Sequence, residues 1–84
     1  MSVDRFGNLI TNLEPSHWNG VRRPMLVAGT FRTDRLRENY AEVDKGELLI
    51  VFGGYGLLEI AVREGSARER LGLTQGDRVL LAAG

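Results

Sequence analysis

Cysteine is absent from the 84 residues, so no disulfide staples the fold and no thiolate can hold a metal. That fits a reducing compartment, and a cytoplasmic location is the expectation. No apolar run approaches the roughly 20 residues that cross a bilayer. No signal peptide follows Met1 either, since charge arrives at once with Asp4 and Arg5. A membrane is therefore not an expected partner. An excess of one charge is missing too: 11 basic residues stand against 11 acidic ones. That balance leaves no electrostatic footprint for DNA, RNA or an anionic lipid surface. Aromatics are few, with one Trp, two Tyr and three Phe, which weighs against an oligonucleotide-binding barrel. The single histidine, His17, has no carboxylate or nucleophile at a spacing that would make it a general base. It reads as solvent-exposed. There is no Ser–His or Cys–His set and no paired acids, so neither a catalytic residue nor a metal ligand is expected within the chain.

What is present is a core and many turns. Hydrophobic residues make up 43% of the chain, enough to argue against disorder, and the length suits one domain. Eleven glycines among short β-branched runs read as a turn-rich β protein. Leu9-Ile10 starts a strand. Residues 14–20, punctuated by Pro15 and Asn19-Gly20, read as a loop. Met25 to Phe31 reads as a second strand region, and Thr33 to Asn39 as a loop or a single helical turn. Leu48 to Phe52 is a continuous apolar run, as in a strand buried on both sides. Gly53-Gly54-Tyr55-Gly56 then turns the chain into a hairpin. On the return, Leu58, Ile60 and Val62 share one face, with Leu57, Glu59 and Ala61 on the other. Ser66 to Gly72 reads as one short helix, capped by Ser66, with Glu69 in capping-box position and Gly72 as the stop. A Gly76-Asp77 turn leads into a last strand, Arg78 to Ala82.

The densest set of specific residues is Val3 to Leu13, and its centre is Phe6-Gly7-Asn8. An aromatic ring offers a face on which a base stacks, about 1–3 kcal/mol per base where that has been probed. Asn8 offers one acceptor and two donors in a plane, a pattern that matches the edge of adenine. Gly7 permits a positive φ or a close approach. The plainer reading is a turn beside a core Phe, which is how such residues most often serve.

Asp4-x-Phe6-Gly7-Asn8-Leu9-x-Thr11-Asn12-Leu13 resembles the opening of the C-terminal domain of the S-adenosylmethionine (SAM) hydroxide adenosyltransferases, relatives of the SAM-dependent fluorinases and chlorinases. The resemblance continues in Gly53 to Val62, in Gly65 to Leu73 and in Gly76 to Val79, in the family's order. Tyr40-x-x-Val43-x-x-Gly46-Glu47 also resembles the family's step into its next strand. The resemblance implies that the strands close into a small antiparallel β-barrel with one short helix. It implies a substrate-binding role, with SAM as substrate and no cofactor. Phe6 and Asn8 would fall on the adenine side, Gly54 and Tyr55 near the methionine end, and the backbone from Val62 to Glu64 near the adenine edge. The implied partners are SAM or adenosine, an N-terminal catalytic domain that supplies the water-activating groups, and further copies in a homo-oligomer. Met1 and Ser2 stand where that larger domain precedes the motif in the family. A stand-alone gene and a segment of the usual protein are both compatible with this.

Two departures matter. Gly54 stands where the family commonly has a Ser whose hydroxyl helps hold the methionine carboxylate. Its loss removes about 0.5–1.5 kcal/mol unless free N–H groups of the glycine turn substitute. Tyr55 stands where fluorinases have Arg, which points to the hydroxide branch. The rival reading is a non-catalytic barrel that serves as an oligomerisation or interaction module. In that case Asn8 and Asn12 would only bond the backbone.

Overall fold

The computed structural model describes residues 1–83. Its eight strands form two sheets. The larger runs β1 (Ser2–Val3), β2 (Leu9–Ile10), β7 (Leu58–Val62), β6 (Leu48–Phe52), β5 (Leu36–Arg37) in spatial order, and the smaller runs β4 (Phe31–Thr33), β3 (Pro24–Ala28), β8 (Leu80–Ala83). The expected closed barrel is thus corrected to two open sheets. Closure needs a hydrogen-bonded neighbour on both sides of every strand. Here β1, only two residues long, and β5, equally short, end the larger sheet. Nor is the pairing wholly antiparallel, because β5 runs parallel to β6 with Leu36 opposite Ile50.

The core lies between the sheets. Leu9, Ile50, Leu58, Ile60 and Val62 face Leu26 and Ala28, with Trp18 and Ala67 closing the ends. Leu9, Leu26, Ile50, Leu58 and Ile60 are fully buried, and each such side chain contributes about 1.5–3 kcal/mol. A smaller cluster of Val43, Leu49, Val51 and Ala61 covers the opposite face of β6 and β7. This second cover is why the alternation along β7 does not leave one face wet: all five of its residues are buried.

The hairpin expected at 53–56 is present, with Gly53 N–H donating to Leu57 O at 3.0 Å. So is the helix after Ser66: α2 spans Ala67–Leu71, Ser66 Oγ accepts the Glu69 N–H at 3.2 Å, and Gly72 stops it at φ 68°. Three local expectations need correction. Residues 14–20 hold a further short helix, α1 (Pro15–Asn19), anchored by buried Trp18. Five residues are too few to show a helical period, so the Pro and Asn-Gly punctuation masked it. The single strand region at 25–31 is two strands, because Gly29 at φ 61° turns the chain between Ala28 and its pair Phe31. The polar stretch 33–39 contributes strand β5, followed by a 3-10 turn at Tyr40–Glu42.

Candidate functional site

The motif loop ahead of β2 is built around one carboxylate. Asp4 Oδ1 accepts the Phe6 N–H at 2.8 Å and the Asn8 N–H at 3.0 Å, and Asp4 Oδ2 accepts from Asn8 Nδ2 at 3.1 Å. Backbone bonds from Asp4 N–H to Asn8 O and from Gly7 N–H to Asp4 O, both 3.0 Å, close the turn. Gly7 sits at φ 82°, and a Cβ there would run into Ser66 Oγ. Its carbonyl accepts the Arg68 N–H at 2.9 Å. The loop therefore docks on the start of α2, and the local sequence explains why: an acceptor-rich Asp, a residue free to adopt positive φ, and no side chain at the contact.

All six residues named as a substrate wall line one surface hollow of about 620 Å³: Phe6, Asn8, Gly54, Tyr55, Val62 and Glu64. Register places this hollow. Ile10, Glu59 and Val51 lie opposite one another across β2, β7 and β6. They share the face of the larger sheet that points away from the main core, and Asn8 precedes Ile10 at the same edge. Three aromatics rim the hollow and stay open to solvent: Phe6 is 64% exposed, Tyr40 44% and Tyr55 81%. The Arg5 guanidinium lies 4.9 Å from the Phe6 ring centroid, a cation–π contact that occupies one face of that ring. At the hairpin tip, the N–H groups of Gly54 and Tyr55 take no backbone acceptor among the described residues. Glu64 holds φ 57°, in a turn closed by Gly65 N–H on Val62 O at 3.2 Å. A non-glycine residue there costs roughly 1–2 kcal/mol.

Sequence reading missed three side chains on the hollow: Asp4, Tyr40 and Glu59. Two of these, Asp4 and Glu59, are acids that the fold brings to the same hollow. Burial chiefly, and then the charge of Asp4, push the Glu59 carboxyl above the ordinary carboxylate range. Tyr40 is also pushed up, by burial first and then by Glu59 and Asp4, with the Asn8 side chain pulling it partly back. Asp4 and Glu59 are 55 positions apart in sequence, so no spacing rule links them. The available signal was a lone acid inside an apolar strand. His17 is exposed, as expected, and its Nδ1 accepts the Glu14 N–H at 2.9 Å to cap α1. Among the described residues no helix is long and apolar enough to cross a membrane, and no group of three or more His, Cys, Asp or Glu could hold a metal ion.

Comparison with known proteins gives one consistent result. Residues 1–80 match the SAM hydroxide adenosyltransferase C-terminal domain. A curated relative, the (R)-S-adenosyl-L-methionine hydrolase of Thermus thermophilus, is 42% identical over 81 residues, which is 96% of this chain and 30% of the relative. The enzyme of the same name from Salinispora tropica is 33% identical, covering 100% of this chain and 31% of its own. A crystal structure of an uncharacterised conserved protein from Thermotoga maritima superposes with a TM-score of 0.80 at 30% identity, over 95% of this chain and 33% of the other. A conserved hypothetical protein from Thermus thermophilus gives 0.75 at 38% identity, over 96% of this chain and 32% of the other. The chain spans about a third of the length of each of these proteins.

Proposed function

From the premise that the chain belongs to the family of SAM hydroxide adenosyltransferase C-terminal domains, we propose that it forms the substrate-binding wall of a SAM-hydrolysing site. The observation that carries this is the gathering of Phe6, Asn8, Gly54, Tyr55, Val62 and Glu64 around one hollow, from segments up to 58 positions apart. The purine stacks on the Phe6 face that Arg5 leaves free. One N–H of the Asn8 amide is committed to Asp4. The amide oxygen and the second N–H, which lies beside the Tyr40 hydroxyl and turns to the ligand when the purine enters, are the pair that reads N6 and N7 of adenine. The unused N–H groups of Gly54 and Tyr55 take the methionine carboxylate in place of the missing hydroxyl.

The reaction is displacement at the ribose 5′ carbon. A C5′–O bond forms from water, the C5′–S bond breaks with its electron pair passing to sulfur, and the oxygen loses a proton. The leaving group is a neutral thioether, so no general acid is needed. The wall contributes orientation and exclusion of water. The group that takes the proton comes from an N-terminal catalytic domain, which also covers the exposed rim of Phe6, Tyr40 and Tyr55.

Calorimetric titration with adenosine and with SAM tests the reading. The chain is titrated alone and after mixing with the N-terminal domain of the Thermus thermophilus relative. Saturable binding in either format supports it. Heat of dilution alone, for both ligands in both formats, removes it and leaves an interaction module.

A further inference from the structure

Charge is segregated on this neutral chain. Asp4, Glu59 and Glu64 all line the hollow, and among the described residues no Lys, Arg or His lines it. The three carboxylates are not equivalent. Asp4 is occupied by three N–H donors of its own loop. Glu64 is exposed and lies 3.5 Å from Lys45 Nζ. Glu59 is only 6% exposed, and it has neither an ion pair nor a hydrogen-bond donor among the described residues. Its carboxylate end packs on Gly53, where a Cβ would displace it, and opens on the hollow.

A carboxylate on a largely buried side chain, without a donor or a counter-ion and wetted from one side only, is costly. Among the described residues no fully buried side-chain polar atom lacks a partner, so the unpartnered Glu59 oxygens keep contact with water, and that contact runs through the hollow. A ligand cation supplies what is missing. The described acids do not gather to hold a metal ion, which favours a diffuse organic cation over a compact inorganic one.

We propose that Glu59 is the charge-selecting residue of the hollow: it faces the sulfonium of S-adenosylmethionine and makes the site prefer that cation over its neutral thioether counterpart. The inference rests on the substrate-wall reading above and adds a residue and a discrimination to it. S-adenosylhomocysteine has the same adenosine, ammonium and carboxylate as SAM and differs by one methyl group and one positive charge. The ratio of the two affinities therefore isolates the sulfonium. The titratable groups facing Glu59 are Asp4, from the loop before β2, and Tyr40, from the 3-10 turn. Its strand neighbours Ile10 and Val51 carry no charge.

The test titrates wild type and Glu59→Gln with SAM, S-adenosylhomocysteine and adenosine, in whichever format binds adenosine. In Glu59→Gln the SAM-to-S-adenosylhomocysteine affinity ratio falls by about tenfold or more, a Coulombic loss of the size expected for one nearby charge, and adenosine binding is unchanged. A second measurement needs no variant: in wild type the same ratio falls as pH is lowered from neutral and Glu59 takes up its proton. An unchanged ratio on both counts, with all three ligands bound, overturns the assignment of Glu59 and leaves the substrate wall standing. Failure of wild type to bind any of the three removes the wall itself.

Discussion

Asn8 Nδ2 donates to Asp4 Oδ2 at 3.1 Å, and this contact fixes the plane of the one amide that faces the hollow. The amide is held by a side chain four positions back, so its remaining N–H and its oxygen are presented in a set orientation. Asn8→Ala removes both. Adenosine binding weakens by at least about 1 kcal/mol, because base groups that had partners lose them. Calorimetry on the folded variant reads this directly, and unchanged affinity would take Asn8 out of the site.

Asp4→Ala acts one step earlier. Three donors, the N–H groups of Phe6 and Asn8 and the Asn8 amide, lose their acceptor together. The loop is partly exposed, so water replaces some of these bonds, and the stability loss is about 1–2 kcal/mol. Amide hydrogen exchange at Phe6 and Asn8 rises well above that of buried Leu9. Protection equal to wild type would show that the turn holds itself without the carboxylate.

Gly7→Ala carries a double penalty. The residue sits at φ 82°, and the added methyl meets Ser66. The backbone term alone is roughly 1–2 kcal/mol. Moving Ser66 also weakens its bond to the Glu69 N–H, a cap worth about 1 kcal/mol. Thermal melting should show a loss of at least about 2 kcal/mol, and Gly7→Asn, better suited to positive φ, should lose less of the backbone part. Equal stability of Gly7→Ala and wild type would mean that the loop is not seated on α2.

The local parts of this fold were legible and the long-range parts were not. Leu48–Phe52, the glycine hairpin and the Ser66-to-Gly72 helix carry their signals within a few residues: a solid apolar run, a turn composition, a cap and a stop. The Phe6-Gly7-Asn8 motif was readable as a site because of its density and its family resemblance. Sheet closure was not readable, because it depends on where β1 and β5 find neighbours, and strands of two residues carry almost no pattern. Glu59 was the clearest loss. Alternation put it on the face away from Leu58 and Ile60, which is where it lies. A strand pattern does not reveal that Val43, Leu49, Val51 and Ala61 would cover that face and leave the acid buried beside Asp4.

The raised Glu59 carboxyl makes stability depend on pH with a definite sign. Its folded form holds a proton more readily than its unfolded form. Stability is then fully present below the ordinary carboxylate range and is lost as pH rises through the raised value. Glu59→Gln removes that loss. The variant should melt above wild type near neutral pH, by an amount a thermal melt resolves, because roughly 1 kcal/mol moves the Tm of so small a domain by about 4–8 °C and smaller differences by proportionately less. The difference should shrink on acidification. A variant that melts below wild type at every pH would show that the carboxylate has a stabilising partner after all.

Gly53→Ala separates the position of the Glu59 charge from its presence. The new methyl occupies the space of the carboxylate end, and the Gly53 backbone lies outside the left-handed region, so the chain can accept alanine there. Glu59 is the part that must move. Its side chain is flexible, but Val51 and Ile10 flank it in register, and the easiest exit is toward the solvent-facing mouth of the hollow. In water the carboxylate regains hydration and its attraction for a cation in the hollow is screened. Gly53→Ala should therefore weaken SAM binding several-fold while adenosine binding holds, and it should flatten the acid dependence of stability in the same way as Glu59→Gln. Loss of the pH dependence with SAM affinity intact would mean that the position of the acid has no bearing on the cation.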